Sequence, residues 1–410
     1  MVSAHTDRAA STNRRQFLSA VGAAVSATAL AGCSALSGGN SDSAKLGLLT
    51  SLSGPTAATG QEIERGAEMA HEHLDGEILD SEYELVVQDT ASEPSTALDG
   101  ARTLVEQENV DAIIGPSLSS STISVIPYVQ EEAQIPIIPT QASSNEAREG
   151  DNCSDYSFFL FPSNKHTVQA GTDFLYDMPD LVDRDFDHTR MHYFSPDYAL
   201  GQNNLALLEE AVSDRGGEVT GSTLVPLGTQ DLSSYISELS QSDADVITGV
   251  MTPGMAIRLI QQAQDYDLKE EKVMMFNSGK PVNQTIQASV GAAADGWYGT
   301  TFYNPVSDRE INQTFRELYP ADSDLLPNAS CASGFEGVRA LAKGMEEAGT
   351  TSGDDVIDSL SGMSWDSVYG DSTFRESDGQ IDLDFAGATR RDTEFVSLAE
   401  YPGVIPDSNC

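Results

Sequence analysis

From Lys45 onward, short apolar runs alternate with stretches whose apolar residues recur at helical spacing. Strands buried on both faces, followed by one-faced helices, fold into a mostly parallel sheet flanked by helices. The first series predicts strands at 45–52, 83–88, 112–115 and 135–139, with helices at 61–74, 95–107 and 121–132. A second series predicts helices at 168–176, 203–213, 233–241 and 255–266, with strands at 190–194, 218–225 and 245–250. Two such series imply an α/β chain with two similar lobes, and 410 residues suffice to give each lobe its own core. Later strands at 273–276 and 297–302, a helix beyond Val282, and helices at 310–318 and 335–348 are expected to return and finish the first sheet. The last strand-like runs, 367–374, 381–385 and 394–401, have Gly and Asp between them and suit closing strands near the second lobe and a hinge.

The charge balance narrows the partners. The chain holds 22 basic and 64 acidic residues, a formal net charge of -42. Such a surface repels nucleic acid and anionic headgroups, which excludes both as partners. It also repels itself, and molar salt, with a Debye length of about 3 Å, removes most of that cost. The acids are spread along the whole chain, so the expectation is a protein adapted to strong brine.

The N-terminus reads as an export signal. Asn13-Arg14-Arg15-Gln16-Phe17-Leu18 places paired arginines before a run of apolar and small residues that is too short to span a membrane comfortably. The arginine pair, Arg14 and Arg15, is similar to the twin-arginine signal. Leu30-Ala31-Gly32-Cys33 has the small residues and thiol of a lipobox, and the following Ser/Gly-rich stretch reads as a tether. The expected division is a signal peptide over 1–32 and a lipidated Cys33 with its tether over 33–44. The mature chain would then sit on the extracellular face of the cytoplasmic membrane, held only by lipid.

Cys153, Cys331 and Cys410 remain, enough for one disulfide and one free thiol, with the pairing open. No metal-ligand spacing is present: His71 and His73 are two apart and diverge on a helix, so no metal is expected. Neither a nucleophile elbow nor a phosphate loop occurs, so the chain reads as a binder without catalytic residues or cofactors. Asn152, Asn283, Asn312 and Asn328 begin glycosylation sequons, patterns that are common by chance.

In an open α/β sheet, ligands sit where strand ends lead into helix N-termini. The loops at those points carry Ser53 and Thr59, then Ser119 and Ser120 at the head of a four-hydroxyl run, then Gln141, Ala142 and Ser143, and Tyr198 from the second series. They hold hydroxyls and no cations. A helix N-terminus can bind a carboxylate through its free N–H groups without Arg or Lys. Any single Ser or Thr here could instead be only a cap.

Gly47-Leu48-Leu49-Thr50-Ser51-Leu52-Ser53-Gly54-Pro55, Gly60-Gln61-Glu62-Ile63-Glu64-Arg65-Gly66-Ala67 and Val110-Asp111-Ala112-Ile113-Ile114-Gly115-Pro116 resemble the leucine/isoleucine/valine-binding protein family, with weaker support from Asp197-Tyr198-Ala199-Leu200-Gly201. The resemblance implies the type I periplasmic-binding-protein fold. Its two Rossmann-like lobes are joined by a three-segment hinge, with the ligand cleft between them and closure on binding. The lobes would comprise 45–162 plus 278–360 and 163–277 plus 361–410, with crossings near 161–164, 277–278 and 359–366. By position, Ser119 matches the hydroxyl on the ligand carboxylate, Gln141 to Ser143 the loop that meets the ligand, and Tyr198 the aromatic of the second lobe.

The resemblance further implies a monomer that captures a branched-chain amino acid for the permease and ATPase subunits of an ABC importer. Relatives that bind α-amino acids place an acid near the second crossing, where this chain has Asn277-Ser278-Gly279, so Ser278 takes the place of the ammonium partner. A buried ammonium without a carboxylate is costly. Amides, urea-like compounds and small carboxylates therefore stand as alternative ligands, and a ligand-sensing module working with a partner protein stands as an alternative role.

Overall fold

A computed structural model describes residues 43–320, 326–404 and 410. The expected signal segment, with Arg14, Arg15 and Cys33, lies outside the described residues. In chain order the first lobe runs β1 (Lys45–Thr50), α1 (Ala57–His73), a short hairpin of β2 (Glu77–Ile78) and β3 (Ser81–Glu82), β4 (Glu84–Asp89), α2 (Pro94–Glu106), β5 (Ala112–Ile114), α3 (Ser119–Tyr128) and β6 (Ile137–Ile138). Strands β4-β1-β5-β6 form a parallel four-stranded sheet, with Leu48 opposite both Val87 and Ile114.

Successive side chains of a strand point to opposite faces. Leu46, Leu48 and Ile114 accordingly pack in one core with Ile63 and Ala67 of α1. Leu49 and Ile113 pack in another with Ala97, Ala101 and Leu104 of α2 and Val125 of α3.

The second lobe follows with α4 (Asn164–Leu181), β7 (Arg190–Pro196), α5 (Ala199–Ser213), β8 (Glu218–Val225), α6 (Ser233–Gln241), β9 (Val246–Thr248), α7 (Pro253–Ala263), α8 (Leu268–Glu271), β10 (Val273–Phe276), α9 (Gln284–Val290) and β11 (Tyr298–Thr301). The chain then forms α10 (Glu310–Leu318), α11 (Ala329–Ala348), α12 (Gly353–Leu360), the hairpin of β12 (Ser364–Ser367) and β13 (Gly370–Thr373), and finally β14 (Leu383–Arg391) and β15 (Glu394–Val404). The second sheet is seven-stranded, in the order β15-β14-β11-β10-β9-β7-β8. It is parallel except for β14 and β15, which run antiparallel at one edge.

The strand pairing corrects the expected lobe boundaries. β11 lies between β10 and β14, with Tyr298 opposite Met275 and Thr389, so the segment after Asn277 stays with the second sheet. No later strand joins the first sheet among the described residues. The return to the first lobe comes after β11, where Phe302 meets Phe161 edge to face at 4.9 Å. The segment expected to be the third crossing is instead the end of α12 and the start of the β12–β13 hairpin, whose Trp365 and Val368 join the core of the first lobe. Apolar spacing predicts a strand but not its partner, which is why the sheet that β10 and β11 join is not legible from periodicity.

The third crossing lies at Gly379–Ile381, where it is paired with the first: the Phe159 N–H donates to Gly379 O at 2.9 Å and the Ile381 N–H to Phe159 O at 3.0 Å. α11 also begins earlier than its apolar periodicity indicated, at an Asn328 cap that accepts from the N–H groups of Ser330 and Cys331. Its first turns are small for a steric reason. A Cβ on Gly66 of α1 would lie 1.9 Å from the Cys331 carbonyl oxygen, and one on Gly334 2.0 Å from that of Ile63. The two helices touch backbone to backbone, and any larger residue would push them apart.

Among the described residues one disulfide joins Cys153 to Cys410 across 257 positions, leaving Cys331 buried and free. Burial pushes the Cys331 thiol well up, so it behaves as a small apolar group. Among the described residues no helix is long and apolar enough to cross a membrane.

Candidate ligand-binding site

A cavity of about 440 Å³ opens between the strand ends of the two lobes. The first lobe lines it with Thr56 and Thr59 of the β1–α1 region, Ser117 to Ser120 and Ile123 around the start of α3, and Gln141, Ser143, Ser144 and Glu146 after β6. Asn164 at the start of α4 and Tyr198, Leu200 and Asn203 around the start of α5 line the other side. Thr59, Ser119, Ser120, Gln141, Ser143 and Tyr198, read as candidates from the sequence, are thus brought to one cavity.

α3 begins at Ser119, and its cap Leu118 supplies no side-chain bond. Among the described residues the leading N–H groups of this helix therefore have no side-chain cap at the cavity wall. The four-hydroxyl run divides by face: Ser119 and Ser120 line the cavity, whereas Ser121 and Thr122 are buried, Thr122 bonding the Leu118 carbonyl at 3.0 Å. The Ser119 hydroxyl accepts from the Ser144 N–H at 3.1 Å and ties two ligand-facing loops together. Before the helix, Gly115 has φ +107, and a Cβ there would lie 2.0 Å from the Leu49 carbonyl oxygen, so glycine alone fits where β5 turns toward the site.

The loop after β6 is held from behind. Arg148 is buried and donates to the Ala142 carbonyl, to the Phe161 carbonyl at 3.0 Å and to Gln380 Oε1 at 3.4 Å, with its guanidinium 4.2 Å from the centre of the Phe159 ring. Burial lowers its pKa to about 9, with Asp378 and Glu149 pulling it back up. Gln141 is fixed by a bond from its amide to the Ser330 hydroxyl on α11. Burial raises the Tyr198 phenol, which stays a neutral donor and ring surface.

Three candidate residues do not line the cavity. The Ser53 hydroxyl donates to Asp89 Oδ2 at 2.6 Å, closing the β1–α1 loop onto the end of β4. Burial works to raise the Asp89 carboxyl, but bonds from Ser53, Ala91 and Leu52 outweigh it and lower the pKa. Ala142 is buried and its carbonyl is taken by Arg148. Ser278 lies at the end of β10, its hydroxyl buried with no partner among the described residues. Glu146, Asn164 and Asn203 were not foreseen. Their signal was faint, because a polar residue on a short helical turn or at a helix start looks like ordinary surface or capping.

Among the described residues no group of three or more His, Cys, Asp or Glu is placed to hold a metal ion. The arrangement offers hydrogen-bond donors, one carboxylate and apolar walls from Leu118, Ile123 and Leu200. That suits reversible capture of a small polar molecule.

Known proteins carry the same architecture. A Leu/Ile/Val-binding protein homolog of Brucella melitensis is 22% identical, with 84% of this chain and 87% of that protein covered. An ABC transporter substrate-binding protein from Sphaerobacter thermophilus superposes with a TM-score of 0.80 at 24% identity, over 88% of this chain and 98% of that one. A solute-binding protein of an ABC transporter from R. palustris, in complex with benzoate, superposes with a TM-score of 0.78 at 20% identity, over 90% and 99% of the two chains. Residues 43–392 match the periplasmic binding protein family, and the chain belongs to that family, a class of binding proteins and not of enzymes.

Proposed function

We propose that the protein is the extracellular solute-binding component of an ABC importer, delivering a branched-chain amino acid or related small polar compound to permease and ATPase subunits. The observation that carries this reading is the cavity whose hydroxyls come from one lobe and whose aromatic, Tyr198, comes from the other. A ligand bridging the two sides favours the closed arrangement by its differential contacts, and closure is a signal a permease can read. Ser119 and Ser120, with the α3 N–H groups, hold a carboxylate, while Gln141, Ser143 and Thr59 complete the polar wall. The similarity to a Leu/Ile/Val-binding homolog supports this class of ligand, and the benzoate complex of another relative keeps small carboxylates as the second reading.

Export by the twin-arginine route and anchoring through Cys33 fit the leader, and a monomer in brine fits the dispersed acidic surface. The test is a thermal-shift screen in molar KCl across amino acids, amides, urea and short carboxylates. A true ligand at a hundredfold excess over its Kd stabilises by about 2.7 kcal/mol. Uptake that survives deletion of the gene while chemotaxis or gene response is lost would replace transport by sensing. A Cys33→Ser chain that stays with the membrane would end the lipid-anchor reading.

A further inference from the structure

The cavity holds one charged side chain among the residues that line it, Glu146; the remainder are neutral, with no Arg, Lys or His. In a chain of charge -42 an acid is unremarked by itself, and its partners and position are what matter here. The neighbouring acid Glu149 is engaged by Lys165 at 2.6 Å. The Glu146 carboxylate has no hydrogen bond or ion pair among the described residues, while its backbone is fixed by the Asn152 amide on its carbonyl at 2.8 Å and by buried Arg148 two positions on. A fixed backbone thus carries an exposed carboxylate, without a partner among the described residues, on a cavity whose other polar lining is neutral and which has the N-terminus of α3 in its wall.

We propose that Glu146 binds the ammonium group of a zwitterionic ligand whose carboxylate rests at the start of α3, so that it selects amino acids against plain carboxylates. This rests on the reading of the cavity as the ligand site. A benzoate-like anion would meet Glu146 with no compensating cation, a repulsion that strengthens once closure expels water. An amino acid meets opposite charges at both ends, with Leu118, Ile123 and Leu200 left for an aliphatic side chain. The ammonium partner that Ser278 cannot provide is then supplied by the other lobe.

The experiment is calorimetry in molar KCl with L-amino acids, each paired with its deaminated carboxylate, leucine with isocaproate first. Wild type should prefer the amino acid by about thirtyfold or more, the size of a lost charge partner in a closed site. Glu146→Gln should weaken the amino acid by a similar factor and leave the plain carboxylate unchanged or tighter, whereas Glu146→Asp should keep the preference. Equal binding of both members of a pair by wild type, or an unchanged amino-acid affinity in Glu146→Gln, overturns the proposal. If plain carboxylates bind as tightly as their amino acids and Ser119→Ala weakens both, the cavity reading stands and the role of Glu146 falls. If no compound binds either protein, both fall.

Discussion

Arg148 donates to the main-chain carbonyl of Phe161 at 3.0 Å, and through this bond the loop that faces the cavity is fastened to the first crossing between the lobes. The same guanidinium holds the Ala142 carbonyl and Gln380 of the third crossing. One buried cation therefore organises the ligand loop and two hinge strands together. Replacing it by Met roughly keeps the volume but leaves three acceptors, two of them buried, without that donor. Arg148→Met should lose about 3 kcal/mol of stability, measured by thermal unfolding in KCl, and weaken ligand binding as well.

At the first crossing, the Ser163 N–H donates to His166 Nδ1 at 3.1 Å, in a capping box that starts α4. Burial, followed by the charges of Arg148 and Arg375, holds the imidazole well below its usual 6.5. The folded chain thus refuses a proton that the unfolded chain accepts, and stability falls as pH drops below 6.5. In His166→Asn the amide oxygen can replace Nδ1 as acceptor, so the loss between pH 6.5 and the acid limit should be smaller than in wild type. Parallel stability curves for the two proteins would contradict this.

The Cys153–Cys410 bond closes a loop spanning 257 positions and fastens the C-terminus to the first lobe after β15 has completed the second sheet. Long loops gain most from closure, and Cys153→Ser should lower stability by about 2–4 kcal/mol. Cys331 is buried, so its own labelling by thiol reagents in the native wild-type chain should be slow and should follow global unfolding.

Ser119→Ala removes the hydroxyl that bridges the α3 start to the Ser144 N–H at the cavity. That hydroxyl can also donate to a ligand carboxylate, so the expected effect is about a tenfold weaker affinity together with about 1 kcal/mol of lost stability in the unliganded chain, one hydrogen bond's worth each. Tyr198→Ala should cost more, because it removes the aromatic face contributed by the second lobe.

Stability should rise steeply between low salt and molar KCl. The cause is the screening of 64 acidic against 22 basic residues. The ion pairs of Arg190 with Glu218 and Asp243, and of Arg309 with Asp366 and Asp371, are largely exposed and should contribute little once screened. A melting point indifferent to KCl would remove the basis for the brine reading.

By itself the sequence determined the elements and the class of fold. The predicted strands at 218–225 and 273–276 and the helices at 233–241 and 310–318 coincide with β8, β10, α6 and α10, because one-faced and two-faced burial leave different periods in the chain. It also marked the strand-end loops, since the position of a ligand in an open parallel sheet follows from connectivity. Tertiary structure decided what depends on partners distant in the chain. It paired β11 with β10 and β14, set Gly66 against Cys331, linked Cys153 to Cys410, and turned Ser53 toward Asp89 and away from the cavity. Glu146 reached the site in the same way. Local pattern records which face of an element is buried, whereas the identity of the neighbour is fixed only when the whole chain packs.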